Sequence, residues 1–154
     1  MPVVTTKRLC ISPLTDGEMQ EKVEKEPDGE LKKAYSQMLA GCEAAPEKRI
    51  WYALWAIRQG DENGQMVGDL CFKGLGPDGG VEIGYGTYRG YEGQGYMTEA
   101  VIAMTAWAMA QPGVAFVEAE TEPGNAASQR VLEKAGFLPS GKMGEEGPRF
   151  IRKP

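Results

Sequence analysis

The stretch from Val81 to Ala100 reads VEIGYGTYRGYEGQGYMTEA and decides which fold the chain is expected to adopt. It begins as a strand, but the five glycines from Gly84 to Gly95 are too many for a regular strand, because each one loosens the backbone. The residues that follow contain no glycine or proline before Pro112 and are rich in helix formers. The stretch therefore predicts a strand, a glycine turn and a helix in succession.

The start of the predicted helix suits a phosphate or pyrophosphate group. A glycine turn that feeds a helix leaves backbone N–H groups unpaired, and the helix dipole adds partial positive charge there. Two common nucleotide motifs do not match. A dinucleotide fingerprint continuing from Gly93 and Gly95 needs glycine or alanine where Thr98 stands, and the Gly-Lys-Ser/Thr of a P-loop is absent. A plain tight turn is the structural alternative to an anion site.

Composition limits the classes of function that the chain can have. Its 154 residues, 42% hydrophobic and 25% charged, predict one domain over residues 1–154. A net charge of −5 argues against a general nucleic-acid or anionic-membrane binder. Three widely spaced cysteines favour reduced thiols over a disulfide framework or a zinc site, so no metal is expected. With no visible signal peptide or apolar run of membrane length, we expect a cytoplasmic protein.

The predicted elements form a mixed α/β (α+β) fold around one twisted, mostly antiparallel sheet. The pattern predicts two short helices within 16–43, interrupted at Pro27-Asp28-Gly29, the first of them capped by Thr15 or Asp16 with Glu18 early in its first turn. It also predicts helices at 96–111 and 125–136, and strands at 5–14, 50–58, 65–73, 81–87, 114–121, 137–142 and 149–152. The helix at 96–111 connects strands 81–87 and 114–121, which are therefore expected to run parallel at the centre of the sheet.

Two separated motifs carry a resemblance to a known family. The glycine turn YEGQGYMTEA and the later NAASQRVLEKAGF resemble the GNAT superfamily of acyl-coenzyme A N-acyltransferases. The opening TTKRLCISPLT, together with VEIGYGT, is similar to the branch that acts on N-terminal amines of ribosomal proteins and on other amines. The resemblance implies acetyl transfer from acetyl-coenzyme A to a protein N-terminus or small-molecule amine, by direct attack in a ternary complex. The alternatives are a non-catalytic acyl-coenzyme A binding or sensing module and, less favoured, a plain nucleotide-binding protein.

The resemblance also implies a set of cofactor-binding residues. Gly93 and Gly95 match the last two fixed positions of the family's phosphate loop, whereas Gly90 stands where the family has Gln or Arg. Arg89 or the backbone N–H groups are expected to compensate for that missing side chain. Strand 81–87 would offer its backbone to the pantetheine arm. The implied cofactor-binding residues are Ile83, Gly84, Tyr85, Gly86, Thr87, Arg89, Gly90, Tyr91, Gly93, Gln94, Gly95, Tyr96, Asn125 and Ser128.

Acetylation of an amine requires a proton acceptor, because amines are mostly protonated at pH 7. The chain contains no histidine, so carboxylates are the remaining candidates. We predict Glu82 as the base, with Glu120 as the second candidate; either carboxylate could instead be only solvated or ion-paired. Ser128 is predicted to protonate the departing thiolate, with Tyr91 and Tyr96 as rivals.

The predicted site regions, 81–100 and 125–136, contain no cysteine, which disfavours an acyl-cysteine intermediate. Asn125 could also be a plain helix N-cap. The expected partner is an amine substrate, and the protein is expected to be a monomer or homodimer.

Overall fold

The structure is a computed structural model that describes all residues from Met1 to Pro154. Eight strands form one sheet, and four α-helices and one 3₁₀ helix join them. The strands are β1 (Val4–Thr5), β2 (Leu9–Pro13), β3 (Leu54–Gln59), β4 (Met66–Leu75), β5 (Gly80–Thr87), β6 (Phe116–Glu120), β7 (Leu138–Met143) and β8 (Pro148–Arg152). The helices are α1 (Asp16–Lys25), α2 (Gly29–Ala44), the 3₁₀ helix (Pro46–Trp51), α3 (Tyr96–Met109) and α4 (Ala126–Lys134).

The strand order across the sheet is β1-β2-β3-β4-β5-β6-β8-β7. Every neighbouring pair is antiparallel except β5 and β6, which run parallel with α3 as the connection between them. The predicted fold class and the central parallel pair are therefore confirmed.

The sheet has an apolar layer on each face. Alternate residues of β3 separate the two layers: Trp55 and Ile57 pack with α3 and α4, whereas Leu54 and Ala56 pack with α1 and α2. Side chains that share a strand face alternate in sequence, so this pattern places the two helix pairs on opposite faces of the sheet. We call these the α3/α4 face and the α1/α2 face.

Local capping signals place the first two helices as predicted. Thr15 forms a capping box with Glu18, in which each side chain accepts a hydrogen bond from the other residue's backbone N–H. The predicted break between the two helices is also present, because Asp28 caps the second helix through the N–H groups of Glu30 and Leu31. The helix that follows is longer than the sequence pattern indicated.

The prediction of a strand over residues 50–58 is wrong in its first part. Residues Pro46–Trp51 form the 3₁₀ helix, and β3 begins only at Leu54. Proline at the first helical position favours the helix. Trp51, a good strand former, is instead placed by packing: its ring meets Phe72 edge-on at 5.4 Å and lies 5.7 Å from Trp107. Burial of the aromatic ring overrides its local strand preference.

Candidate functional site

The central strands part on the way to their carboxyl ends. β5 and β6 pair at Gly80 with Phe116, at Val81 with Val117 and at Glu82 with Glu118, and no further pairs follow. β5 continues to Thr87 with β4 alone as its neighbour. Its edge beyond Glu82 is therefore available to a ligand that pairs with it as another strand would.

The glycine loop presents unpartnered donors beyond this gap. Gly90, Gly93 and Gly95 have φ angles of 95°, 74° and 79°, in the left-handed region that favours glycine. The backbone N–H groups from Glu92 to Thr98 donate to no acceptor within the protein. This row of N–H groups lies at the start of α3, where the helix dipole favours an anion.

A cavity of about 460 Å³ lies between the loop, the end of β5 and one side of α4. Of the residues predicted to bind the cofactor, those that line it are Tyr85, Gly86, Thr87, Tyr91, Gly93, Gly95, Tyr96, Asn125 and Ser128. The others, Ile83, Gly84, Arg89, Gly90 and Gln94, do not line it, and neither does Glu82. The structure thus brings together the loop glycines, the end of β5 and the Asn-x-x-Ser motif.

Two cationic side chains that line the cavity were not predicted from the sequence. Arg130 and Lys134 both line it from α4. Their spacing of four residues puts them next to each other on one face of α4, which was a usable signal in the sequence. They add positive charge on the side of the cavity opposite the loop amides.

Ser128 and Tyr85 meet at the wall of the cavity. The Ser128 and Tyr85 hydroxyl oxygens lie 2.8 Å apart, and Tyr85 OH also lies 3.1 Å from the Ser128 carbonyl oxygen, to which it donates. Asn125 caps α4 by accepting a hydrogen bond from the Ser128 N–H, at 3.0 Å. Burial raises the pKa of Tyr85 even though its hydrogen bond with Ser128 acts in the opposite direction. The Tyr85 hydroxyl is therefore protonated near neutral pH.

Comparison with known proteins decides the family. A family model described as "Acetyltransferase (GNAT) domain" matches residues 8–138 of the chain. The chain belongs to the GNAT acetyltransferase family.

Individual relatives agree with this assignment. The chain is 37% identical over 92 residues to the uncharacterized N-acetyltransferase YjdG of Bacillus subtilis (strain 168), a match that covers 59% of this chain and 54% of that protein. This GNAT chain thus spans only about half the length of that curated relative.

Solved structures share the fold at low sequence identity. RimL, a ribosomal-protein alpha-N-acetyltransferase in complex with coenzyme A, aligns with a TM-score of 0.77 and 15% identity, covering 99% of this chain and 98% of that one. A ribosomal-protein-alanine acetyltransferase from Vibrio fischeri aligns with a TM-score of 0.75 and 13% identity, covering 98% and 94% of the two chains. At these identities the likeness concerns the fold.

An arginine in the bend between β1 and β2 holds the glycine loop of this GNAT protein in place. Arg8 Nη1 donates to the Gln94 carbonyl oxygen at 3.0 Å, and Arg8 Nε pairs with Glu99 Oε1 at 2.7 Å. Thr6 donates to the same Glu99 carboxylate. Burial alone would raise the pKa of Glu99, but the hydrogen bonds from Thr6 and Arg8 hold it below its ordinary value. Arg89, the substitute anchor that the sequence suggested, is exposed in the turn.

Both carboxylate oxygens of Glu82, the predicted base of this GNAT protein, form ion pairs. Its Oε1 pairs with Arg149 Nη2 at 2.8 Å, and its Oε2 pairs with Lys73 Nζ at 2.9 Å. Arg149 also binds Glu118 and Glu120, so it is surrounded by three carboxylates. Burial alone would raise the pKa of Glu82, but these partners lower it, which weakens Glu82 as a proton acceptor.

Glu120, the second candidate, is in a similar state. A hydrogen bond from the Glu146 N–H and the pairing with Arg149 lower the pKa of Glu120. A role for either carboxylate in proton transfer stays a prediction.

No helix of the chain has the length and apolar character needed to cross a membrane.

Proposed function

We propose that the chain transfers an acetyl group from acetyl-coenzyme A to a primary amine, by direct attack in a ternary complex. One observation carries the proposal: the open edge of β5 leads directly to the unpartnered amides from Glu92 to Thr98. A single ligand that carries both amide groups and a pyrophosphate would satisfy both features, and coenzyme A is such a ligand.

The residues present fit coenzyme A in three places. The amides of the glycine loop would hold the pyrophosphate, since glycine at Gly93 and Gly95 leaves the backbone accessible. Arg130 and Lys134 would hold a further phosphate from α4. The edge of β5 from Ile83 to Thr87 would pair with the amides of the pantetheine arm.

Bound acetyl-coenzyme A supplies an acyl group activated as a thioester. The protein orients the amine and moves two protons. One is lost from the ammonium form before attack, because only the neutral nitrogen has a free electron pair. As the C–N bond forms and the C–S bond breaks, the second proton leaves nitrogen and one must reach sulfur. The Ser128 hydroxyl, hydrogen-bonded to Tyr85, is the proposed donor to sulfur.

The acceptor class is proposed from the family and the fold. Two of the similar structures are named as ribosomal-protein acetyltransferases, and the curated relative is named as an N-acetyltransferase. An amine of a peptide N-terminus or of a small molecule is therefore the proposed substrate.

Two measurements on the whole chain test the proposal. Calorimetric titration with coenzyme A should show saturable binding, and thiol release from acetyl-coenzyme A should depend on an added amine. The amine panel includes peptides with free N-termini, the same peptides acetylated at the N-terminus as matched controls, and polyamines. Binding without transfer to any amine would favour the non-catalytic binding module, and absence of binding would overturn the proposal entirely.

A further inference from the structure

A carboxylate on β4 faces an open strip of the neighbouring strand. Asp69 pairs with Ala56 on one side and with Gly86 on the other. Directly paired residues of antiparallel strands share a sheet face, so Asp69 lies on the α1/α2 face. A Cβ at Gly86 would meet no atom within 4 Å. At Gly86, the surface of β5 beside Asp69 therefore carries no side chain, and no other part of the protein covers it.

This open strip reaches the gap between the central strands. β4 and β5 are one strand spacing apart, about 4.8 Å. The far edge of β5 at Gly86 has no strand partner, because pairing with β6 ends at Glu82. A group that lies over Gly86 would thus have Asp69 on one side and the gap on the other.

The carboxylate of Asp69 is held at one oxygen and open at the other. Tyr88 OH donates to Oδ2 at 2.7 Å, and Lys22 Nζ lies 3.9 Å from the same oxygen. Lys22 Nζ also donates to Tyr88 OH at 3.0 Å. Oδ1 accepts no hydrogen bond from the protein, and it keeps solvent contact, since only Thr105 and Thr121 have fully buried, unpartnered side-chain oxygens.

We propose that Asp69 binds the acceptor amine over Gly86 and accepts its proton through the free Oδ1. The proposal rests on the acetyl transfer proposed above and names a different base from the sequence prediction. Glu82 has a cation on each carboxylate oxygen, whereas Asp69 has one oxygen free. The Asp69 side chain is 14% exposed, which leaves room for contact with a substrate.

The electrostatics of the surroundings agree with this role. Burial raises the pKa of Asp69 above its ordinary value, although the hydrogen bond from Tyr88 and the charge of Lys22 act in the opposite direction. The other titratable groups that face the cluster are Glu26, Tyr35 and Cys71. Burial also raises the pKa of Tyr88, so its hydroxyl stays a donor to Asp69. A carboxylate with a raised pKa is a stronger base near neutral pH.

The proton balance of the proposed step closes without any further reactant. Asp69 takes one proton from the ammonium nitrogen and passes it to water. The nitrogen electron pair then forms the C–N bond, while sulfur leaves with the electron pair of the C–S bond. The second nitrogen proton goes to Asp69, which then releases it to water. Sulfur receives its proton from water or from the Ser128 hydroxyl, which in turn regains a proton from water. The products are an N-acetyl amine and a thiol.

The first test is Asp69→Asn, which keeps the shape and the acceptor for Tyr88 but cannot accept a proton. We expect kcat/KM at pH 7 to fall by about 10²–10⁴-fold, with partial recovery at high pH, where solvent deprotonates the amine. Coenzyme A affinity should stay within about threefold. The affinity of the amine for the coenzyme A complex, measured by calorimetry without turnover, should fall. Asp61→Asn, which removes the same charge from the exposed β3–β4 hairpin, is the matched control.

The second test places a side chain over the bare strip. Gly86 has no positive φ and free space above it, so the fold should tolerate Gly86→Leu. We expect KM for the amine to rise at least about tenfold. The Kd for coenzyme A should change by a smaller factor, because only the backbone of Gly86 is proposed to pair with the pantetheine arm. This variant reports on the location of the amine independently of proton transfer.

The outcomes separate the two proposals. If the wild-type protein acetylates amines and Asp69→Asn does so equally well, the role of Asp69 is refuted and acetyl transfer stands. If Glu82→Gln rather than Asp69→Asn shows the loss and its recovery at high pH, Glu82 is the base. A wild-type protein that binds coenzyme A but acetylates no amine overturns both proposals.

Discussion

Gly95 is the residue whose replacement tests the proposed phosphate loop most directly. It is the N-cap of α3, with φ 79° and ψ 4°. A non-glycine residue costs roughly 1–2 kcal/mol in this left-handed region. A Cβ there would also lie 3.4 Å from Arg8 Nη2, in van der Waals contact with the arginine that holds the loop. We therefore expect Gly95→Val to relax by rotating the neighbouring peptide groups.

The rotation would turn loop amides away from the proposed pyrophosphate. A hydrogen bond to a charged group contributes about 1.5–3 kcal/mol, so loss of two such bonds costs about 3–6 kcal/mol. Since about 1.4 kcal/mol corresponds to a factor of ten, the Kd for coenzyme A should rise by about 10²–10⁴-fold. The free energy of unfolding should fall by only about 1–2 kcal/mol, the cost of the strain itself.

Calorimetric titration with coenzyme A and urea unfolding measure the two quantities separately. Gly93→Ala is the companion variant, because Gly93 has φ 74° and no atom lies within 4 Å of the Cβ that it would gain. This variant reports backbone strain without a new side-chain contact. Gly29→Ala is the control, since Gly29 has the same free space but no positive φ. An unchanged Kd in a folded Gly95→Val protein would refute the phosphate-loop proposal.

Three further predictions address the surroundings of the site. Arg8→Ala should raise the Kd for coenzyme A by about 3–10-fold, because one charged contact with the loop is lost. Arg89→Ala should change the Kd less. If calorimetry gives the reverse order, Arg89 is the anchor. Ser128→Ala should lower the rate of thiol release by about 10²-fold with little effect on coenzyme A affinity, and an unchanged rate would exclude Ser128 as the proton donor. Arg149→Met should lower the free energy of unfolding at pH 7 by about 2–4 kcal/mol, because it leaves three carboxylates without their shared partner. Because the pKa of Glu82 is lowered in the folded protein, this stabilisation is present above about pH 4.3 and is lost as the pH falls through the lowered pKa. Urea unfolding at pH 4 should therefore show a smaller difference between the wild-type protein and Arg149→Met than at pH 7. Equal stability of the two proteins at pH 7 would contradict the reasoning.

Local features of the chain were predictable from the sequence. The glycine-to-helix stretch, the capping box at Thr15 and Glu18 and the cap at Asn125 all depend on residues within a few positions of each other. Such elements follow from backbone freedom and from the hydrogen bonds that short side chains make with nearby N–H groups. The parallel central pair was predictable too, because a helix between two strands returns the chain in the same direction.

The tertiary structure alone decided which charged groups meet. Arg149 reaches Glu82 across 67 residues, and Arg8 reaches Glu99 across 91. The position of Asp69 opposite Gly86 likewise depends on the register of two strands. A shift of one residue in that register would turn Asp69 to the other face, and no local sequence pattern determines the register. The sequence therefore determined the glycine loop and the order of the elements, whereas the partners of each carboxylate depend on long-range packing of the sheet.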